Sequence, residues 1–343
     1  MKIRRLGFTS IYANKSIEKL FIDGEQFLNK YIGDYIGDVC HYFPTAKLKN
    51  ILGENELLFS DIEFLNDLQE ETNIFLILKE LIESDAVAEI HPQLIKALDG
   101  YGTIRMLINN EIVYDDAHLY EPKEDDENFI YNGRRYIFCT SKDDDCLAMW
   151  KYYAKNERYD ALNIVFSPKD LVNCINSDLK QIQNGIRIVH GSVIYDDNVK
   201  KEILLHLISE INKLYIDYLD DEDYDEYNCN IRYEIVNRLF YLLKDYSIFF
   251  KNEAYKHEQE YRFILELDNT NIKKYGVKYD FRKVGAYQVP YIKISFEKEI
   301  VETLILNPTD SNDELAIKSN RAFLNFYGYD KTNLGISTIP LRY

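Results

Sequence analysis

Three charged residues stand two positions apart in FFKNEAYKHEQEYRFILEL: Glu258, Glu260 and Arg262. Read as a strand over Glu258–Leu267, the alternation puts these three and Ile264 on one face. Gln259, Tyr261, Phe263 and Leu265 fall on the other. Desolvating three charges on a half-buried strand is costly unless they pair with one another or face a solvated cleft. The set is therefore either a Glu–Arg pair that locks a sheet or an active-site carboxylate positioned by its neighbours. In a cleft, such a carboxylate stabilises a cationic transition state or accepts a proton. Glu258 and Glu260 are the two candidates for that carboxylate, with Arg262 as the charged neighbour on the same face. His41, on an apolar strand beside Tyr42, is either a satisfied structural histidine or a ligand-binding one. Trp150 and Tyr153 lie one helical step apart, as core aromatics or as a wall of a ligand cleft.

The elements that must position these residues read as α+β. A helix spans about Ser16–Tyr31, a strand runs through His41 and Phe43 to Pro44, and Thr45 caps a short helix carrying Leu48, Ile51 and Leu52. Glu56–Ser60 forms a second strand. Asn66 or Asp67 caps a helix whose apolar stripe is Leu68, Phe75, Leu76 and Ile82. Tyr136–Thr140 is a strand, Ser141–Asp143 offers caps for a helix through Trp150, and Asp160–Phe166 is a strand again. Residues 199–219 and 231–246 make an amphipathic helical hairpin, read as an insertion outside the sheet. Strands follow at Tyr287–Phe296, Ile300–Leu306 and Gly335–Leu341, with a helix over Asp313–Tyr327. Without repeats or a flexible linker, 1–343 reads as one integrated domain with 1–38 as a peripheral segment.

Composition narrows the function classes. The net charge of −17 argues against general binding to a nucleic-acid backbone. The five cysteines are scattered without a CxxC, so neither a disulfide framework nor a zinc site is signalled. His91 and His118 have no companion at metal-ligand spacing. No apolar run spans a bilayer and the basic N-terminus lacks a signal-peptide core, so the expectation is a cytoplasmic protein that does not enter membranes. The acidic stretches around Glu124–Glu127 and Asp217–Glu226 read as exposed loops.

Four stretches in order carry a resemblance: HYF…ILGENELLFSDIEFLND, IFCTSKDDDCLAMWKYYA, FKNEAYKHEQEYRF and VPYIKISF…LILNP…STIPLRY. Together they resemble the bacterial family catalogued as domain of unknown function 2971, with its H-Y, N-D, C-F-S…M-W-x-x-Y-A, E-x-E-x-R and S-x-I-P-x-R elements. One departure is Arg158–Ala161, where that family usually has a glycine before the next strand. The histidine on an early strand, the short helix, the L-x-x-S ending at Ser60 and the late glutamate strand are also similar to the ADP-ribosyltransferase pattern.

That second likeness implies an ADP-ribosyltransferase-like central sheet with peripheral helices, and NAD as substrate. It implies Glu260 and Glu258 as catalytic carboxylates, and His41 on a ribose hydroxyl. Tyr42, Trp150 or Tyr153 would stack on nicotinamide. Ser60, Asn66, Arg262 and Arg342 complete the expected cofactor-binding set. The setting implied is a toxin or phage-defence effector with protein or nucleic acid as acceptor. Two other classes stay open: a hydrolase or nuclease holding a divalent metal with Glu258, Glu260 and Asp67, and a non-catalytic sensing or interaction module.

Overall fold

The computed structural model describes residues 4–6, 15–64, 70–99, 133–154, 160–182, 186–217, 226–308 and 313–340. Asn66, Asp67, His118 and Arg342 lie outside these residues, as do the acidic stretches 121–127 and 218–225 and residues 155–159.

Eleven strands among the described residues share one sheet. The main path runs β1 (Arg4–Leu6), β6 (Ile186–Ser192), β7 (Glu260–Asp268), β4 (Gly133–Ser141), β2 (Val39–Pro44), β5 (Ala161–Phe166), β10 (Val301–Leu306) and β11 (Asn333–Ile336). A branch leaves β4 through β3 (Glu56–Asp61) to β9 (Tyr287–Ser295) and β8 (Tyr279–Val284). The pairs are antiparallel except β10–β11, which makes the chain an α+β protein with an open, mostly antiparallel sheet.

β4 is where the sheet forks. One edge pairs with β7 along its whole length, from Gly133↔Asp268 to Ser141↔Glu260. The other edge is shared: Ser141 meets Cys40 of β2 at one end, and Ile137 and Tyr136 meet Ser60 and Asp61 of β3 at the other. Between them, the ladder registers of the two arms skip Phe138–Thr140, and the arms diverge.

Side-chain alternation divides the core accordingly. Ile137, Val189 and Ile264 lie under a helical layer that contributes Leu28, Ile32, Ile74, Leu207 and Leu242. That layer contains α1 (Lys15–Ile32), α2 (Glu70–Ile82), α3 (92–99), α6 (Asp197–Asp217) and α7 (Glu226–Ser247). On the opposite face Phe138 and Phe263 join Phe43, Phe59, Ile164 and Ile292 in a core shared by both arms. α5 (Pro168–Asp178) and α9 (Glu314–Phe326) close it, while α8 (Asn269–Lys274) follows β7. A third, smaller cluster packs Met149 and Trp150 of α4 (Leu147–Tyr153) on Cys40, Tyr42 and Val165.

Several elements differ from the sequence reading. The N-terminal segment is not peripheral: α1 buries Leu28 and Ile32, and its Glu25 binds Arg187 at 2.9 Å. Leu76 is exposed, and the buried stripe of α2 is Ile74, Phe75, Ile77, Leu78 and Leu81. The glutamate strand begins at Glu260, because Glu253–Glu258 forms a 3-10 turn capped by Asn252, and Gln259 leaves it at φ 46°. Thr45 starts a 3-10 turn that passes into a π turn at Lys49–Gly53. The last strand ends at Ile336, because Ser337 and Thr338 turn away to bind Asp145.

Candidate active site

The fork exposes the middle of the β4 edge, and His41 reaches into that gap. Its Nδ1 donates to the Cys139 carbonyl at 3.3 Å, and its ring lies 4.6 Å from that of Phe138. Only a protonated Nδ1 can make that bond, so the neutral ring offers Nε2 as an acceptor. Burial pushes the His41 pKa down to about 4; the Cys139 carbonyl opposes this and the Arg282 charge adds to it. His41 therefore stays neutral over the physiological range.

The residues lining the cleft beside the fork include His41, Cys139, Tyr152, Tyr153, Tyr255, Glu258 and Glu260, around a cavity of about 320 Å³. Its wall is α4, and its floor is the start of β7 with the turn before it. Lys251 joins the two glutamates: Nζ donates to Glu258 Oε2 at 2.6 Å and to Glu260 Oε2 at 3.1 Å. Arg262 donates to the same Glu260 oxygen at 2.8 Å, and its other arm bonds the Ile248 carbonyl. Glu260 is 5% exposed and Arg262 1%, so this is a buried ion-pair set with one half-open member, Glu258. Burial opposes ionisation of Glu260, but Arg262 and then Lys251 outweigh it and hold the carboxyl well below its ordinary range.

Lys251 is held by distant elements. Ile194 pairs with Phe250 as an isolated bridge, and the Lys251 N–H donates to the Ile194 carbonyl at 3.1 Å. Beneath it the fully buried Lys200 of α6 donates to the Lys251 carbonyl at 2.6 Å. Tyr195 accepts the Glu260 N–H at 2.9 Å. Ser141 caps no helix: its Oγ donates to the Glu258 carbonyl at 2.7 Å and accepts from the Asp143 N–H at 3.1 Å. These bonds explain how Glu258, although outside the strand, shares a cation with Glu260.

The aromatic candidates separate. Tyr153 lines the cleft, and burial, followed by the nearby Cys139, Glu260 and Glu258, raises the pKa of its hydroxyl. Tyr42 also borders it, but its hydroxyl is used internally, donating to Asp143 O at 2.8 Å and accepting from Cys146 N at 2.9 Å. Trp150 is fully buried, edge-on to Tyr42 at 4.8 Å, and does not line the cleft. Its Nε1 donates to Asp145 Oδ1 at 2.9 Å. Ser60 lies outside the cleft lining, at the start of the second arm, where its Oγ accepts from Arg282 at 2.8 Å.

Lys251, Tyr195 and the Tyr152–His257 pair, bonded at 2.8 Å, were not among the candidates from sequence. Lys251 sits in the quoted FFKNEAY stretch, and its charge two residues before the 3-10 turn was the available signal. Among the described residues no group of three or more His, Cys, Asp or Glu side chains forms a metal-binding cluster. No helix of those residues is long and apolar enough to cross a membrane.

Residues 149–263 match the model of a family described as protein of unknown function (DUF2971). The match covers less than half of the chain and supports a relation of that segment to the family. It contains Tyr153, Lys251, Glu258, Glu260 and Arg262, and leaves out His41 and the closing strand. No curated protein matches the chain, and no solved structure does.

Proposed function

We propose that the cleft at the fork is the active site of an ADP-ribosyltransferase-like enzyme that uses NAD. The observation that carries this reading is the meeting of His41 with Glu258 and Glu260, distant from it in the chain, around one cleft with Tyr152, Tyr153 and Tyr255 as aromatic walls. Its volume of about 320 Å³ suits the nicotinamide–ribose end of a dinucleotide. His41 Nε2 accepts a ribose hydroxyl, and Tyr153 stacks against nicotinamide. The glycosidic C–N bond breaks with its electron pair leaving on nicotinamide, which neutralises the pyridinium. Ionised Glu260 stabilises the positive charge left on the ribose. An acceptor lone pair then forms the new bond to the same carbon, and Glu258, the more open carboxylate, receives the acceptor's proton.

The likeness to the ADP-ribosyltransferase sheet is one of pattern, and fold alone does not fix activity. A bacterial cytoplasmic effector, a toxin or a phage-defence protein, is the setting that suits such chemistry, with a protein or nucleic acid as acceptor. The metal-dependent alternative is less favoured, because Lys251 Nζ already sits between Glu258 and Glu260 where a cation would bind. A non-catalytic reading keeps one specific observation in its favour. Glu260 gives a single oxygen to both Lys251 and Arg262, which is also how a sheet would be locked.

Glu258→Gln separates the readings better than Glu260→Gln, because Glu260 is buried between two cations. Nicotinamide release and melting temperature are measured together for wild type and both variants. The transferase predicts that Glu258→Gln melts near wild type and loses about 100-fold or more in turnover, and that Glu260→Gln loses both activity and stability. A wild type that neither binds nor cleaves NAD, with cell lysate supplied as acceptor, sinks the enzyme reading.

A further inference from the structure

The floor of the cleft is close to charge balance, with Glu258 and Glu260 facing Lys251 and Arg262. Its mouth is not. Arg282 projects from β8, the edge strand of the second arm, in a hairpin with β9. Its guanidinium donates to Ser60 Oγ at 2.8 Å, and Ser60 is itself buried. Arg134, Arg135, Arg187 and Arg262 each pair with a carboxylate. Among the described residues no carboxylate lies at ion-pair distance from Arg282. Asp280, two positions away on the same strand, is bonded by Tyr291 at 3.2 Å.

Ser60 stands opposite Ile137 on β4, two residues from the Cys139 carbonyl that His41 binds, so Arg282 flanks the same gap as His41. Partial desolvation lowers the Arg282 pKa, while Tyr291 and Tyr153 oppose that effect. With no carboxylate beside it among the described residues, its planar fork matches phosphate oxygens. Ser60 occupies one N–H and fixes the orientation of the others.

We infer that Arg282, held by Ser60 beside His41 and Tyr153, is the anion-binding residue at the mouth of the cleft and takes the pyrophosphate of a dinucleotide. The inference rests on the cleft being a ligand site, and it specifies the ligand's direction: the neutral or cationic ribose end inside and the phosphates at the β8–β9 hairpin. It also assigns the second arm of the sheet a binding role.

Calorimetry on the full chain with ADP-ribose and with phosphate-free nicotinamide riboside tests this, for wild type, Arg282→Gln and Arg282→Lys. The expected result is a loss of about ten-fold or more in ADP-ribose affinity for Arg282→Gln, partly recovered in Arg282→Lys. Nicotinamide riboside binding should not change, and neither should the melting temperature, because the residue is exposed. Equal ADP-ribose binding by wild type and Arg282→Gln overturns the proposal, as does a wild type that binds no ADP-ribose. Arg282-dependent binding without cleavage of NAD leaves the subsite standing and removes the transferase. Cleavage at equal apparent affinity in Arg282→Gln does the reverse.

Discussion

His41 and Glu260 are both buried and titratable, and burial acts on them in opposite directions on the pH scale. The folded His41 pKa is about 4 against an ordinary 6.5. Between those values the unfolded chain binds a proton that the folded chain does not, so stability falls as pH drops from about 6.5 to 4 and levels below that. His190, also held at about 4 by burial, adds to the same window. Glu260 has its folded pKa below the ordinary 4.5, so its contribution is full above that value and is lost as pH falls further. Urea denaturation from pH 8 to pH 4 should therefore show a midpoint that begins to fall near pH 6.5. His41→Asn, whose amide can still donate to the Cys139 carbonyl, should lessen that slope and leave the His190 part, and an unchanged slope would sink the assignment. Much of this chemistry was legible in the sequence, since paired charges beside an apolar strand have few ways to be buried. Lys251 was not, because its place is set by the Ile194 bridge and by Lys200, contacts with no local period. Trp150 stayed ambiguous for a related reason: a tryptophan beside a site looks the same in sequence whether it faces the ligand or supports the wall.

At the scale of elements, the close seating of α1 against β6 depends on one residue without a side chain. A Cβ on Gly191 would lie 2.6 Å from the Ile32 Cβ and 2.7 Å from the Ile32 carbonyl oxygen, too close for the backbone to ignore. Gly191 also stands opposite Arg262 on β7, so a displaced α1 disturbs the strand that carries the buried ion pair. Gly191→Ala should destabilise the protein by about 1–3 kcal/mol, the usual range for overpacking. Chemical denaturation measures it, and a variant as stable as wild type would show that α1 moves freely. The amphipathic helices were readable from their apolar spacing, as in α6 and α7. β6 was missed because its alternation is broken by Arg187, which is buried in a network with Glu25, Asp245 and Glu266 and so looks like a surface residue. β8 was missed because, as an edge strand, it is mostly exposed and shows no apolar face.

Across the whole molecule, the long arm of the sheet returns to the cleft through a single carboxylate. Asp145, in the loop between β4 and α4, accepts from Ser337 Oγ at 2.6 Å, from the Thr338 N–H at 2.7 Å and from Thr338 Oγ1 at 2.9 Å. With the Trp150 indole as fourth donor, it ties the chain after β11 to the helix that walls the cleft. Burial opposes its charge, but the bonds from Ser337, Trp150 and Thr338 prevail and hold the Asp145 pKa below the ordinary carboxylate value. Ser337 and Thr338 of the closing stretch thus latch onto the loop that precedes α4. No local pattern reveals such a latch, because its partners are brought together only by the path β2–β5–β10–β11. Asp145→Ala removes the acceptor and leaves the buried indole N–H unpaired. Charge-assisted bonds carry roughly 1.5–3 kcal/mol each, and two of the donors, on the exposed Thr338, can turn to water. The expected loss is therefore about 2–3 kcal/mol. Because both arms share one core, unfolding should remain a single transition at a lower midpoint. Because α4 carries Tyr153, ligand affinity at the cleft should fall with it. A variant that melts as wild type, or one that loses stability while binding unchanged, would uncouple the latch from the cleft.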